Sequence, residues 1–310
     1  MADGLNGFAL LPLLPKDTTG SNMNTTLHAA LWMTGAVLAF SSIAVAGREL
    51  ITDLDTFEVM MYRSLIGFVV VVVSAVVFSR LGDITFRHLH IHGVRNLCHF
   101  TGQNLWFFAL GFIPLAQVFA LEFTSPIWVV LLAPIILGEK LTRTRLLSAL
   151  IGFLGILIVA RPGFGVVNIG VFTAALSAIG FAGSILFTKK LTRTESILCI
   201  LFWLTAMQLV FGIVAAGFDG DIAWPTSDQW PLIFVVALAG LGAHLCLTNA
   251  LAVAPASLVV PMDFVRLPVI AVVGAAVYAE AIDPFVLIGA LIIFGANYFN
   301  IVMENRTVTK

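Results

Sequence analysis

The sequence predicts an all-α integral membrane protein with ten transmembrane helices, arranged as two inverted five-helix repeats. Three observations predict this fold class: an apolar composition, regularly spaced long apolar runs, and an internal repeat. Hydrophobic residues make up 60% of the 310 positions and charged residues 11%, whereas soluble domains have about 45–50% and about 25%. A soluble fold cannot bury that much apolar surface, so the bilayer is the solvent of this chain.

Apolar stretches of about 20 residues, the length that spans a bilayer as a helix, recur along the whole chain. They predict helices at residues 28–47, 57–79, 90–111, 114–137, 144–160, 169–188, 196–217, 230–251, 255–278 and 284–303. Very short connections, between Gly111 and Pro114 and between Val253 and Pro255, predict tight hairpins between antiparallel neighbours. We therefore expect one compact bundle.

The positive charges predict the orientation, because cytoplasmic loops carry the excess of Lys and Arg. With the N-terminus inside, the cytoplasmic side collects eleven: Lys16, Arg80, Arg87, Lys140, Arg143, Arg145, Lys189, Lys190, Arg193, Arg306 and Lys310. The outer side collects Arg48 and Arg161, and Arg63, Arg95 and Arg266 lie within spans. We expect a multi-pass protein of the cell inner membrane with both termini cytoplasmic. The net charge of -1 offers no basic face for nucleic acid.

The second half of the chain repeats the first at a shift of 141 residues. The shift aligns, among others, Phe40 with Phe181, Arg48 with Lys189, Pro114 with Pro255 and Glu139 with Glu280. It predicts a first repeat at 28–162 and a second at 163–303, flanked by cytoplasmic tails at 1–27 and 304–310. Because five is an odd number of helices, the two copies cross the membrane in opposite directions. Inverted repeats are typical of secondary transporters, whose substrate site lies near the bilayer midplane.

The chain resembles the EamA-type, ten-helix members of the drug/metabolite transporter superfamily over about residues 28 to 303. The resemblance rests on the sequences Phe108-Ala-Leu-Gly-Phe-Ile-Pro-Leu-Ala and Thr248-Asn-Ala-Leu-Ala-Val-Ala-Pro-Ala-Ser, and on the helix ends Gly138-Glu139 and Ala279-Glu280. It implies two inverted halves around a central cavity, and the movement of amino acids, vitamins or other metabolites. The stretch Tyr62-Arg63-Ser64-Leu65 also resembles members that import riboflavin or S-adenosylmethionine.

A polar stripe runs along the third predicted helix. Its members Arg95, His99, Gln103 and Trp106 advance by steps of 4, 4 and 3, which places them on one helical face. A polar line that ends in an aromatic ring suits one wall of a hydrated cavity. The alternative is a set of hydrogen bonds to a neighbouring helix, without a substrate.

Two acids within the spans occupy equivalent positions in the two repeats, because the shift of 141 residues aligns Glu122 with Asp263 and Gln103 with His244. A His244–Asp263 pair would place a group that titrates near neutral pH beside a carboxylate, as a proton relay requires. Alternatively, Arg266 lies one helical turn beyond Asp263 and neutralises it in a static ion pair.

Aromatic residues within the spans are numerous enough to line a stacking pocket, and Trp32 and Tyr62 are the candidates that we add to the polar set. Arg63, next to Tyr62, is expected either to snorkel to the surface or to pair with Glu122. The candidate substrate-binding or pathway residues are then Arg95, His99, Gln103, Trp106, Glu122, His244, Asp263, Arg266, Trp32 and Tyr62.

No motif in the sequence predicts a cofactor, a metal or an enzyme. His88 and His92 share a helical face, but no neighbouring carboxylate completes a metal shell, and the chain has no Walker-type loop or nucleophile elbow. We expect a secondary transporter, driven by protons or by the substrate gradient, for a flat aromatic or vitamin-like solute such as riboflavin. The alternatives are an amino-acid or S-adenosylmethionine transporter and, from another class, an intramembrane enzyme using His244 and Asp263.

Overall fold

The computed structural model describes residues 22–138, 143–160, 168–218, 220–254, 259 and 262–308, and no strand occurs among them. The first half contains α1 (Asn22–Leu50), α2 (Thr56–Val77), α3 (Leu89–Leu110), α4 (Leu115–Glu122), α5 (Ser125–Leu137) and α6 (Arg143–Ala160). The second half contains α7 (Ile169–Leu191), α8 (Ile197–Ala216), α9 (Gln229–Val253), α10 (Arg266–Tyr278) and α11 (Pro284–Val308). Short 3-10 turns lie at Leu81–Asp83 and Asp263–Val265.

These helices form ten membrane segments, because α4 and α5 are two parts of the fourth segment. Among the residues that the structure describes, six segments are long and apolar enough to cross a membrane by length and composition alone: α1, α2, α4 with α5, α7, α8 and α9. The helix α3 has the length, but its polar side chains lower its mean hydropathy. The all-α fold with ten transmembrane helices in two inverted repeats is confirmed.

The helix limits differ from the predicted ones at the two ends of the chain. The first helix begins at Asn22 instead of residue 28, and the last continues to Val308 instead of residue 303. Residues 1–21, in the predicted N-terminal tail, and Pro255, in the second predicted hairpin, lie outside the described residues. Helix starts follow local capping: the Asp55 carboxylate accepts the Glu58 N–H at 2.7 Å, and Glu58 accepts the Asp55 N–H at 2.9 Å. This reciprocal capping box begins α2.

Helix packing follows the inverted symmetry. In the shift of 141 residues, α1 corresponds to α7 and α3 to α9, and the extensive contact between α1 and α9 is matched by the one between α3 and α7. The contacts between α2 and α8 and between α6 and α11 each join a helix to its own counterpart. Two five-helix units related by a two-fold axis in the membrane plane produce this pattern.

Small residues allow close contacts between helices. A Cβ atom on Gly180 of α7 would lie 2.8 Å from the Cα of Gly102 of α3, and one on Gly155 of α6 would lie 2.8 Å from the carbonyl oxygen of Gly289 of α11. Such contacts are typical of membrane helices, which associate by close packing because lipid removes the hydrophobic driving force. Glycine is therefore required at these crossings.

The fourth segment is interrupted immediately after Glu122. Pro126 lacks an N–H group and cannot bond the carbonyl of Glu122, four residues earlier. The Ser125 hydroxyl donates to that carbonyl at 2.5 Å, and the Thr124 hydroxyl donates to the Leu121 carbonyl at 2.8 Å. The ninth segment has a related irregularity, because a 3-10 turn at Asp263–Val265 precedes α10. Interrupted helices are tolerated in a membrane where they line a cavity.

Candidate functional site

A cavity of about 920 Å³ lies between the two repeats. It is lined by residues of α1, α3, α4, α5, α7 and α9 and by two residues of the ninth segment. These elements belong to the first, third, fourth, sixth, eighth and ninth membrane segments. Eight of the ten predicted site residues line it: Arg95, His99, Gln103, Trp106, Glu122, His244, Asp263 and Arg266.

The polar stripe of α3 faces this cavity, and each of its members is buried from bulk solvent. Arg95 is 2% exposed; its Nε donates to the Thr188 hydroxyl at 3.1 Å and its Nη1 to the Asn96 side-chain oxygen at 2.9 Å. His99 Nε2 and Gln103 Oε1 have no hydrogen-bond partner within the described ranges. The stripe therefore presents a cation and two unpaired polar atoms to the cavity, and buried polar atoms without hydrogen bonds are costly.

Three charged groups from both repeats meet at one side of the cavity. Arg266 Nη2 lies 2.6 Å from Glu122 Oε1 and 2.5 Å from Asp263 Oδ2. The remaining carboxylate oxygen of Glu122, Oε2, accepts the Trp106 indole N–H at 2.7 Å. The break after Glu122 and the 3-10 turn at Asp263 thus bring both acids to one guanidinium.

Aromatic rings surround this ion triad, which consists of Arg266, Glu122 and Asp263. The Arg266 guanidinium carbon lies 4.9 Å from the ring centroid of Phe40 and 4.7 Å from that of Phe119. Such distances are favourable for cation–π attraction. The ring centroid of Phe123 lies 5.5 Å from the same carbon. A charge inside a bilayer is stabilised by pairing, and here two carboxylates and three aromatic rings surround the guanidinium.

Of the two predicted alternatives for Asp263, the structure shows the static ion pair with Arg266. The His244 ring packs edge-on against His99, with centroids 4.6 Å apart, and against Phe40 at 6.0 Å. His244 Nδ1 has no hydrogen-bond partner among the described residues. The predicted His244–Asp263 pair is not formed, because Asp263 Oδ2 bonds Arg266 instead.

Two of the predicted site residues, Trp32 and Tyr62, do not line the cavity. Trp32 packs against a hydrophobic cluster that includes residues of α5 and α7. The Tyr62 hydroxyl donates to the Ala223 carbonyl at 2.7 Å, and its ring contacts Trp224 and Trp230. Composition supplies aromatic rings but does not show which helical face meets the cavity, so a substrate contact at these two positions stays a prediction.

Arg63 takes neither of its predicted positions. It is 7% exposed, so it does not snorkel to the surface, and it forms no ion pair with Glu122, whose carboxylate bonds Trp106 and Arg266. Its guanidinium instead borders a smaller pocket between α2, α8 and α9.

Several hydroxyl-bearing and aromatic residues of the cavity wall were not predicted from the sequence. Phe181, Ser184 and Thr188 line the cavity from α7, and Thr248 lines it from α9. The spacing of the α7 residues, 181, 184 and 188, is that of one helical face. That spacing is the one available signal, since hydroxyl side chains inside spans are otherwise common.

Beyond Ile43, the last residue of α1 that lines the cavity, an ion pair and a hydrogen bond join three helices. The Arg48 guanidinium at the end of α1 pairs with Glu280, which follows α10. Glu280 also accepts the backbone N–H of Leu115, the first residue of α4, at 3.0 Å. The equivalent acid of the first repeat, Glu139, lies outside the described residues, while Lys189, the counterpart of Arg48, donates to the Leu251 carbonyl at 2.7 Å.

A polar cluster joins two loops on the side that the charge pattern assigns to the cytoplasm. Glu195 lies 2.6 Å from His88 Nδ1 and accepts the Thr85 hydroxyl at 2.5 Å. Burial alone would raise the pKa of Glu195, but hydrogen bonds from Thr85, His88 and Cys199 outweigh burial and lower the pKa below its ordinary value. The carboxylate is therefore held ionised at neutral pH.

Comparison with known proteins relates this geometry to a family. The chain is 26% identical over 279 residues to an S-adenosylmethionine uptake transporter of Rickettsia bellii, covering 90% of this chain and 95% of the relative. It is 30% identical over 286 residues to a riboflavin transporter of Rhizobium johnstonii, covering 91% and 93%. A solved crystal structure shares the fold with a TM-score of 0.66 at 18% identity, covering 93% of this chain and 99% of that one.

The EamA-like transporter family matches this chain twice, at residues 27–161 and 168–302. Each match contains one of the two acids of the ion triad, Glu122 or Asp263. The two matches together cover most of the 310 residues. The chain belongs to the EamA-like transporter family.

Proposed function

We propose that this protein is a secondary transporter that moves a flat, hydrogen-bonding metabolite across the cell inner membrane, with riboflavin as the first candidate. The observation that carries the proposal is the polar stripe of α3, which faces a cavity between the inverted repeats. The cavity combines apolar and aromatic walls with a few polar groups, as small-molecule sites do. Substrate sites of inverted-repeat transporters lie at this interface.

The chemistry of the walls favours a planar ring system. Phe40, Phe181 and Trp106 contribute aromatic surface, which binds flat rings by stacking or edge contacts. Gln103 and His99 contribute the unpaired buried atoms Oε1 and Nε2. A ring edge that carries both N–H donors and nitrogen or oxygen acceptors, such as that of riboflavin, would satisfy these atoms. A relative of Rhizobium johnstonii is named a riboflavin transporter.

A second candidate, S-adenosylmethionine, is favoured by Arg95. This buried cation lines the cavity and has no carboxylate within 4 Å in the described part of the chain. It would bind the carboxylate of an amino-acid substrate through a charge-assisted hydrogen bond. Relatives from Rickettsia are named S-adenosylmethionine uptake transporters, and export or uptake of another amino acid would use the same contact.

The ion triad supports transport over the rival enzyme function. An acid–base enzyme would need a carboxylate positioned beside His244, whereas Asp263 bonds Arg266. Because the sequence lacks a nucleotide-binding loop, we propose that a gradient of the substrate or of protons drives the movement. We further propose that the repeats span residues 28–162 and 163–303 and that both termini are cytoplasmic.

Uptake by proteoliposomes tests this function. Purified protein is reconstituted, and accumulation of labelled riboflavin, S-adenosylmethionine and a panel of amino acids is measured against protein-free liposomes. We expect saturable uptake of riboflavin or S-adenosylmethionine that the unlabelled solute inhibits. Saturable uptake of an amino acid alone would replace both candidates, and the absence of saturable uptake for every solute, in both directions, would contradict the transport function.

A further inference from the structure

A second pocket lies in the membrane interior, separate from the cavity but sharing His244 with it. Its walls come from α2, α8 and α9: Arg63, Ser64, Gly67, Leu204, Thr205, Gln208, Ala237, Gly240, Leu241 and His244. None of the contacts that hold the ion triad involves this pocket. The mechanism proposed for the cavity therefore leaves it unexplained.

Arg63 is a buried cation without a protein counter-ion among the described residues. It is 7% exposed, and the one hydrogen bond found for its guanidinium is a weak contact from Nη1 to Met60 Sδ at 3.7 Å. Every ion pair in the described part of the chain involves other residues. Ionisable groups inside a membrane usually pair with an opposite charge, so Arg63 lacks the partner that the physics of its environment requires.

The other charged groups around Arg63 strengthen its need for an anionic partner. Arg95, which lines the neighbouring cavity, is also buried without a carboxylate partner among the described residues. His244 borders both pockets. The two acids that line the cavity, Glu122 and Asp263, are already bound to Arg266. The electrostatic potential at the small pocket is therefore positive.

The pocket also offers one neutral donor to a negative ligand. Ser64 lines it and takes part in none of the hydrogen bonds found among the described residues, so its O–H is free to donate. Gly240 allows the guanidinium to approach α9, since a Cβ atom there would lie 2.9 Å from Arg63 Nη2. A guanidinium is weakly hydrated and suits desolvated anions.

The size of the pocket decides which anion fits. Its free space holds about one particle of the size of a water molecule. A monatomic halide fits such a space, whereas the carboxylate of a metabolite would bring its carbon skeleton into contact with the walls. A substrate carboxylate is better accommodated at Arg95, in the larger cavity.

We propose that the pocket at Arg63 binds a small inorganic anion of the halide class, with chloride as the physiological ligand. The anion neutralises Arg63, accepts a hydrogen bond from Ser64 and links α2 to α8 and α9. This inference does not depend on which metabolite the large cavity carries.

Thermal unfolding in detergent micelles tests the site without a transport assay. The apparent unfolding midpoint, followed by tryptophan fluorescence, is measured at constant ionic strength while sodium gluconate is replaced by sodium chloride or sodium bromide. A ligand that binds only the folded protein raises the midpoint with its concentration. We expect a saturable rise with both halides, loss of this rise in Arg63→Gln, and an unchanged rise in the control Arg80→Gln, which alters an exposed arginine.

Ser64→Ala keeps the test decisive if Arg63→Gln fails to fold. Loss of the Ser64 hydroxyl removes one donor but leaves the cation, so we expect the half-saturating halide concentration to rise by about threefold or more. An unchanged half-saturating concentration in Ser64→Ala, an equal halide response in Arg63→Gln, or a wild-type midpoint that is the same in chloride and gluconate would each overturn the proposal.

Discussion

Arg266 of the second repeat bonds Glu122 of the first across the centre of the protein, at 2.6 Å, while its own repeat supplies Asp263 at 2.5 Å. The guanidinium is 2% exposed, so its charge is compensated by these two carboxylates and not by water. The triad therefore links the two halves of the bundle at the wall of the cavity.

Removal of both carboxylates is expected to leave the buried Arg266 cation without a counter-ion. In the double variant Glu122→Gln/Asp263→Asn, an uncompensated buried charge should lower the free energy of unfolding by about 3–5 kcal/mol. Adding Arg266→Met should recover most of that loss, because replacing a whole buried ion cluster by apolar groups is often neutral. Unfolding in a denaturing-detergent titration measures both steps.

The control for this experiment adds Arg80→Met, which alters an exposed arginine, to the same double variant and should recover nothing. A triple variant with Arg266→Met that is as unstable as the double variant would show that the triad does not compensate Arg266.

Substitution in the polar stripe is expected to affect transport and not folding. His99→Leu and Gln103→Leu keep an apolar helix in the membrane but remove the unpaired atoms that face the cavity. Saturable transport should be lost, while size-exclusion profiles stay those of the wild type. His90→Leu, at an exposed position of the same helix, is the matched control. Wild-type affinity and rate in both stripe variants would mean that the stripe is only a packing surface.

The Glu195 cluster is expected to stabilise the protein in a pH-dependent way. The pKa of Glu195 is lowered in the folded state from an ordinary value of 4.5. The ionised carboxylate therefore contributes fully to the stability of the fold above that value, and this contribution is lost as the pH falls through the folded-state pKa. The stability difference between wild type and Glu195→Gln should thus shrink as the pH falls below about 5. Unfolding midpoints across the pH series measure it; a difference that grows on acidification would reverse the sign. Asp228→Asn, at an exposed acid, should show no such trend.

The charge distribution predicts which loops face the cytoplasm. In intact cells, a cysteine introduced by Thr192→Cys should be shielded from an impermeant thiol reagent, and one introduced by Ser227→Cys should react, because Lys and Arg accumulate on the cytoplasmic side. Both substitutions belong on a background without Cys98, Cys199 and Cys246. The opposite labelling pattern would show that the chain has the reverse orientation in the membrane.

Much of the fold could be predicted because bilayer physics leaves few choices. Every spanning segment must be a long apolar helix, and the predicted helices agree with the observed ones within six residues wherever both ends are described. The stripe from Arg95 to Trp106 was predictable for a similar reason, since helical spacing fixes which side chains share a face.

The partners of the site residues could not be predicted. Whether Asp263 pairs with His244 or with Arg266 depends on side-chain directions at a helix interruption, and periodicity contains no information about them. The bond from Arg266 to Glu122 joins residues 144 positions apart and follows from how the repeats dock. The same limit explains Tyr62, whose ring turns to the loop at Ala223.

Protection of a cysteine inside the cavity tests most directly the central claim that a solute occupies the space between the repeats. Ser184→Cys places a thiol in the cavity wall, and Thr192→Cys places one beyond the end of α7, both on the background without native cysteines. In proteoliposomes, saturating riboflavin or S-adenosylmethionine, whichever the liposomes accumulate, should slow labelling at position 184 severalfold and leave labelling at position 192 unchanged. Labelling at position 184 that the accumulated solute does not slow would contradict the claim.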